Sequence, residues 1–209
     1  MNFETELFYK DAYLKEFDAK VFSCEKEKNG YAVVLDQTAF YPEGGGQPYD
    51  QGFLNDARVS EVHRKNGLIF HYIDRPLQIG EKVHGIIDWD RRFDLMQQHS
   101  GEHVFSGLIH KHFGYDNIGF HLGEEEVVLD FSGLLSKEEV SFIEKECNRM
   151  FQRNIPVLSS YPSKEELETL DFRSKKELEG DVRIITIPDC DVCACCGTHV
   201  SNIGEVAFC

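Results

Sequence analysis

Over the first 89 residues the apolar positions fall in short runs rich in β-branched and aromatic side chains. YAVVLDQTAFYP (31–42), LIFHYID (68–74) and KVHGIIDW (82–89) are separated by the turn-forming stretches EKNG, PEGGGQPYDQG and PLQIG. Such runs between Gly, Pro, Asn and Asp predict strands, and a series of them predicts a small β-rich barrel or sandwich. From Asp90 the spacing changes. In DRRFDLMQQHSGEHVFSGLIHKHFG, Phe93, Met96, Val104, Leu108 and Phe113 recur at mostly helical intervals, and Gly114 stands where a glycine ends a helix.

Two strands are expected next, around IGFHL (118–122) and EVVLDFS (126–132). Ser136 then opens SKEE, a capping-box pattern with Glu139, before a helix running to about Arg153. Another strand follows Pro156, and a second SKEE at Ser163 heads a shorter helix. VRIITI (182–187) is a buried-type strand leading into the terminal cysteines. The expected fold class is α+β: a small β-barrel-like domain over 1–89, then a two-layer α+β sandwich over 90–209. No internal repeat or low-complexity segment interrupts this plan.

Composition narrows the setting. The 209 residues are long enough to bury a substantial core. The opening MNFETELFYKDAYLKEF carries charges throughout, with no apolar stretch of a signal peptide. No apolar run approaches the roughly 18 residues of a membrane span, so the expected address is the cytoplasm, with no membrane partner. Seven cysteines are an odd number for a disulfide framework and favour reduced thiols, some of them metal ligands. Cys24 and Cys147 read as small buried apolar residues. A formal charge of −15 excludes broad affinity for nucleic acid, so any RNA contact is expected to be local and weak.

The remaining cysteines crowd the C-terminus, where DVCACCGTHVSNIGEV (191–206) places Cys193, Cys195, Cys196 and His199 within nine positions. The long helix carries His99 and His103, four residues apart and so on one face. Two short pairs from distant segments, His99 with His103 and Cys195 with His199, can build a tetrahedral nitrogen–sulfur zinc site. The other histidines, at 63, 71, 84, 110, 112 and 121, are scattered and read as structural or solvent-facing.

LMQQHSGEH (95–103) and CCGTHVSNIGEV (195–206), with AFYPEGGGQPYDQG (39–52) and IDWDRR (87–92) upstream, resemble the free-standing alanyl-tRNA editing proteins of the AlaX type. These are similar to the editing domain of alanyl-tRNA synthetase, and the zinc-binding half also resembles that of threonyl-tRNA synthetase. The resemblance covers nearly the whole chain, its motifs standing in the expected order. It implies a trans-acting aminoacyl-tRNA deacylase that cleaves the ester joining serine or glycine to the alanine tRNA, with Zn2+ as cofactor and mischarged tRNA as partner. Carried over by position, the metal ligands are His99, His103, Cys195 and His199. Cys195, not Cys196, keeps the family spacing to Gly-Thr-His. Four protein ligands leave no place for a bound water, so one of Cys195 and His199 is expected to be loose. The oligomeric state stays open.

Three departures bear on the site. The helix motif usually reads His-Thr-Gly-Gln-His, whereas Ser100 and Glu102 occupy its middle here. Ser100 keeps a hydroxyl but loses a methyl, which widens a substrate-binding pocket. Glu102 adds a carboxylate beside the metal, either a catalytic general base or a solvated helix residue. Ile203 replaces a usual threonine, and the chain stops at Cys209, short of strands the family usually continues into.

Gly44, Gly45, Gly46 and Gln47 do not form a phosphate loop by spacing. A bare turn with positive φ would account for the glycines, but through the resemblance these residues are expected to bind substrate, near the tRNA end and the editing pocket. Arg91 and Arg92 are candidate phosphate contacts. Two competing readings remain. Residues 99–103 also spell His-x-x-Glu-His, the inverted zincin pattern of a metallopeptidase, with Glu177 or Glu179 completing the shell. Alternatively Cys190, Cys193, Cys196 and His199 form a closed knuckle in a non-catalytic RNA-binding module.

Overall fold

The computed structural model describes residues 4–123, 126–174 and 180–207. Two compact units divide the chain between Leu95 and Met96.

The first unit is a closed six-stranded barrel. Strands β1 (Glu16–Glu27), β2 (Gly30–Leu35), β3 (Gly52–Leu54), β4 (Ala57–Lys65), β5 (Leu68–Ile73) and β6 (Lys82–Ile87) close in the order β1-β2-β5-β4-β3-β6, every pair antiparallel. Alternation sorts the side chains: Phe17, Ala19 and Val21 of β1 point into the core with Val33, Val59, Val62, Ile73, Val83 and Ile87. Asn66 and Gly67, with φ of 51° and 78°, turn β4 into β5, as the primed hairpin turns require.

Inside this core His71 is fully buried, with Nε2 2.8 Å from Thr38 Oγ1 and Nδ1 3.1 Å from the Val33 carbonyl oxygen. Burial pushes its pKa down to about 4, the Val33 contact opposing only weakly. Because the folded value lies below the unfolded one of roughly 6.5, the unfolded chain binds the proton more readily. His71 therefore contributes full stability above about pH 6.5, and that contribution is lost as the pH falls toward 4. Denaturant melts across this window should show the barrel weakening by about 3 kcal/mol from this group. A His71→Gln variant should lose that part of the slope.

The second unit is α+β, as the sequence pattern predicts. Helix α1 (Trp89–Phe113) passes the unit boundary and ends at Gly114, whose φ is 69°. Then follow β7 (Asn117–Leu122), β8 (Val127–Phe131), α2 (Lys137–Arg153), β9 (Leu158–Ser160), α3 (Lys164–Thr169), β10 (Ile184–Ile187) and β11 (Asp191–Ala194). β7 and β8 form a two-stranded ribbon, and β11-β10-β9 form a separate sheet. Both Ser-Lys-Glu-Glu segments make complete capping boxes, at Ser136 and Ser163. Val104, Leu108 and Ile109 of α1 pack with Ile143, Cys147, Met150 and Phe151 of α2, with Ile187 and with Ile203. Among the described residues no helix is long and apolar enough to cross a membrane.

Candidate metal centre

Within the second unit four side chains from two distant segments converge. His99 and His103 project from one face of α1, their ring centroids 5.4 Å apart. The His199 ring lies 4.5 Å from that of His99 and 4.7 Å from that of His103. Cys195 Sγ is 3.4 Å from His99 Nε2 and 3.4 Å from His199 Nε2. One donor atom from each of the four residues falls within 4.8 Å of all the others, and the three histidines are buried. A tetrahedral zinc with Zn–N near 2.05 Å and Zn–S near 2.3 Å holds nitrogen and sulfur about 3.5 Å apart. The donor set and its spacing fit that ion.

The terminal segment is held in place by backbone contacts. Cys195 N donates to the Arg183 carbonyl oxygen (3.0 Å), while Arg183 Nη1 donates to the carbonyls of Cys195 (3.3 Å) and Gly197 (2.7 Å). The β10–β11 turn approaches α1 at Gly107. A Cβ there would sit 2.6 Å from the Cys190 carbonyl oxygen and 2.8 Å from Asp191 Cβ, so only glycine admits that approach.

The outward ring nitrogens also have partners. His103 Nδ1 lies 2.8 Å from Asp191 Oδ2, and Arg173 grips the same carboxylate through Nε (2.8 Å) and Nη2 (3.0 Å). His199 Nδ1 lies 3.1 Å from Ser100 Oγ, which also accepts the Val200 N–H at 3.1 Å. Burial alone would raise the Cys195 thiol, but the imidazoles of His99, His199 and His103 bring its pKa well below the usual range, toward the thiolate a metal binds. Burial instead pushes Cys190 up to about 12 and Cys193 to about 11. Burial also opposes charge on His103, yet the Asp191 and Cys195 contacts hold its pKa well above the ordinary value.

The sequence motifs do not single out Asp191 or Arg173. Asp191 stands four residues before Cys195, and no spacing rule links it to His103. Arg173 reaches it because its segment pairs with β11: Arg173 N donates to the Val192 carbonyl (2.8 Å), and Ala194 N to that of Arg173 (2.9 Å). His103, Asp191 and Cys193 also place donor atoms within 4.8 Å of one another. The Arg173 fork on Asp191 makes that second grouping a poor cation site, since a cation there would face a guanidinium.

The chain is similar to several proteins of known name. The chain is 36% identical to the alanyl-tRNA editing protein AlaX-L of Pyrococcus horikoshii over 211 residues, covering 97% of this chain and 52% of that protein. It is 34% identical to the alanyl-tRNA editing protein Aarsd1 of Mus musculus, covering 96% of this chain and 53% of that one. The resemblance to the alanyl-tRNA editing proteins holds. The chain spans about half the length of these two relatives. It is also 39% identical to the alanine–tRNA ligase of Pyrococcus furiosus, over 23% of that enzyme. Residues 4–91 match the family of tRNA synthetases class II (A). Residues 182–208, which carry Cys195 and His199, match the threonyl and alanyl tRNA synthetase second additional domain.

The remaining editing-protein candidates fall in different places. Gly44 to Gln47 belong to the barrel unit, where Gly44 and Gln47 exchange two 3.1 Å backbone bonds across Gly45 and Gly46, with φ of 62° and 83°. Two successive positive φ values account for the second and third glycines as a tight turn. Arg91, also in the barrel unit, is half-buried, with Nε 3.2 Å from the Tyr49 carbonyl oxygen and its guanidinium 5.9 Å from the Tyr49 ring centre. Arg92 is fully buried and therefore not placed as a phosphate contact. It pairs with Asp50 and donates to the Ala12 and Ala39 carbonyls.

Ser100 is buried against His199 and Val200, its hydroxyl bonded to both. Glu102 is buried too, and the solvated reading is overturned. Its Oε1 accepts from Ser106 Oγ (2.6 Å) and Asn117 Nδ2 (2.8 Å), while Oε2 lies 3.8 Å from His103 Nε2. Among the described residues the knuckle of Cys190, Cys193, Cys196 and His199 is not assembled; Cys190 Sγ instead contacts the Val104 carbonyl oxygen. Glu177 and Glu179, either of which would complete the shell in the peptidase reading, lie outside the described residues.

Proposed function

We propose that this chain is a zinc-dependent deacylase that acts in trans on alanine tRNA mischarged with serine or glycine. The observation that carries the reading is the meeting of His99 and His103 with Cys195 and His199, in a chain similar throughout to proteins named for alanyl-tRNA editing. In this reading those four residues hold the ion, which when bound supplies Lewis-acid polarisation for ester hydrolysis.

The reaction adds water to the ester carbonyl carbon. The bond to the ribose oxygen breaks, a proton passes to that oxygen, and free amino acid and tRNA leave. Glu102 is the proton acceptor of the proposal. Ser106 and Asn117 fix its Oε1, and its carboxylate is buried with Oε2 3.8 Å from His103 Nε2, within reach of the metal centre. Ser100 acts by holding His199 at Nδ1, which aims Nε2 toward Cys195. Gly44 to Gln47 and Arg91 are the proposed tRNA contacts. With a net charge of −15, such contacts hold the tRNA only briefly, as suits a cytoplasmic editor that must let the acceptor go.

The test is a deacylation panel on the purified, zinc-loaded chain. Seryl- or glycyl-tRNA for alanine should be discharged faster than alanyl-tRNA. If the loaded chain discharges no mischarged alanine tRNA, the proposed activity is wrong.

A further inference from the structure

Resting on the zinc reading above, we infer that Asp191 and Arg173 are positioning residues that set the affinity of the centre by orienting His103. A neutral imidazole has one N–H and one lone pair, and only the lone pair can bind a metal. At His103 the choice is made by Asp191. Its carboxylate faces Nδ1 at 2.8 Å, so Nδ1 carries the hydrogen and the Nε2 lone pair turns toward the other donors. A carboxylate alone would be a costly group to bury there, for Asp191 is only 5% exposed. Arg173 removes that cost with a two-pronged contact of 2.8 and 3.0 Å.

The pair is built to stay in place. The Arg173 backbone is pinned to β11 on both sides of the residue, and Gly107 admits the close approach of α1 that brings His103 to Asp191. His199 is held differently: among the described residues its Nδ1 meets the Ser100 hydroxyl, a neutral group. A carboxylate behind a ligating imidazole raises its basicity and fixes its ring, and losing such a partner costs about 10- to 100-fold in metal affinity. Of these two, His103 is thus the firmly held histidine, through a charged partner, and His199 the one more easily displaced.

Zinc affinity of the chain, measured by competition with a chromophoric chelator, tests this without reference to turnover. Asp191→Asn should weaken zinc binding about 10- to 100-fold, and Arg173→Gln should weaken it in the same direction. Cobalt(II) spectra of both variants should change in the d–d region, as a reoriented ligand requires. Cys147→Ala, a truncation in the same core away from the centre, should lower stability yet leave zinc affinity unchanged. If Asp191→Asn does not fold, Arg173→Gln carries the same readout. Affinities within twofold of the unaltered chain for these variants would overturn the inference while leaving the deacylase reading intact. Zinc binding that follows the expected order, in a chain inactive on every mischarged alanine tRNA, would overturn the deacylase reading alone. No zinc binding by the unaltered chain would overturn both.

Discussion

Replacing His99 with alanine is expected to lower deacylation of seryl-tRNA by about a thousandfold or more, which corresponds to roughly 4 kcal/mol of lost transition-state stabilisation. The size follows from the geometry. His99 Nε2 is 3.4 Å from Cys195 Sγ, and its ring centre lies within 5.4 Å of those of His103 and His199. Without it three donors remain, and because one of Cys195 and His199 is expected to be loose, only two firm ligands are left where a catalytic zinc takes three. The fold should survive, because the α1 residues that build the second core, Val104, Leu108 and Ile109, lie further along the helix. Zinc content, a circular dichroism melt and turnover measured on one preparation check all three statements. A His99→Ala chain that retains both zinc and activity would remove the centre from the proposed mechanism.

The second large effect is structural. Arg92→Ala should destabilise the barrel unit by about 3–5 kcal/mol, the cost of leaving a buried charge without its partner. Both side chains of the Arg92–Asp50 pair are fully enclosed, and the guanidinium also satisfies the Ala12 and Ala39 carbonyls. Truncation leaves the carboxylate facing a void and two acceptors without a donor. The neighbouring Arg91→Ala should change stability little and weaken tRNA binding instead. Urea melts of the two variants beside a tRNA-binding titration distinguish them. The opposite pattern, with Arg92→Ala stable but defective in tRNA binding, would restore Arg92 as a phosphate contact.

These adjacent arginines show how local pattern reaches its limit. Both stand at the start of a helix in an acidic chain, and nothing in the sequence distinguishes them. One is enclosed because Asp50, 42 residues away, sits beside it once the barrel has closed. The same limit explains the strands that the pattern missed. β4 contains a register shift between Val59 and Glu61, so its apolar positions do not alternate strictly. β1 does alternate, with Phe17, Ala19 and Val21 inward, but its outward positions are mostly charged and it lacks the apolar run that marks β2 or β5. The long helix and both capping boxes were legible because their signals are local: one face repeating every three to four residues, and a serine three positions before a glutamate.

At the centre the division is similar. The identities of His99, His103, Cys195 and His199 and their spacing in two short motifs are properties of the sequence, and a helix places its own pair on one face whatever surrounds it. That the pairs meet was decided by tertiary structure, through α1 packing against the β10–β11 hairpin at Gly107. The burial of Glu102 and the role of Ser100 as the partner of His199 were decided there as well. So was the Arg173–Asp191–His103 chain, whose members lie 18 and 88 residues apart in sequence. Hydrogen bonds and ion pairs act over a few ångströms of space, and sequence distance carries no information about them until the chain has folded.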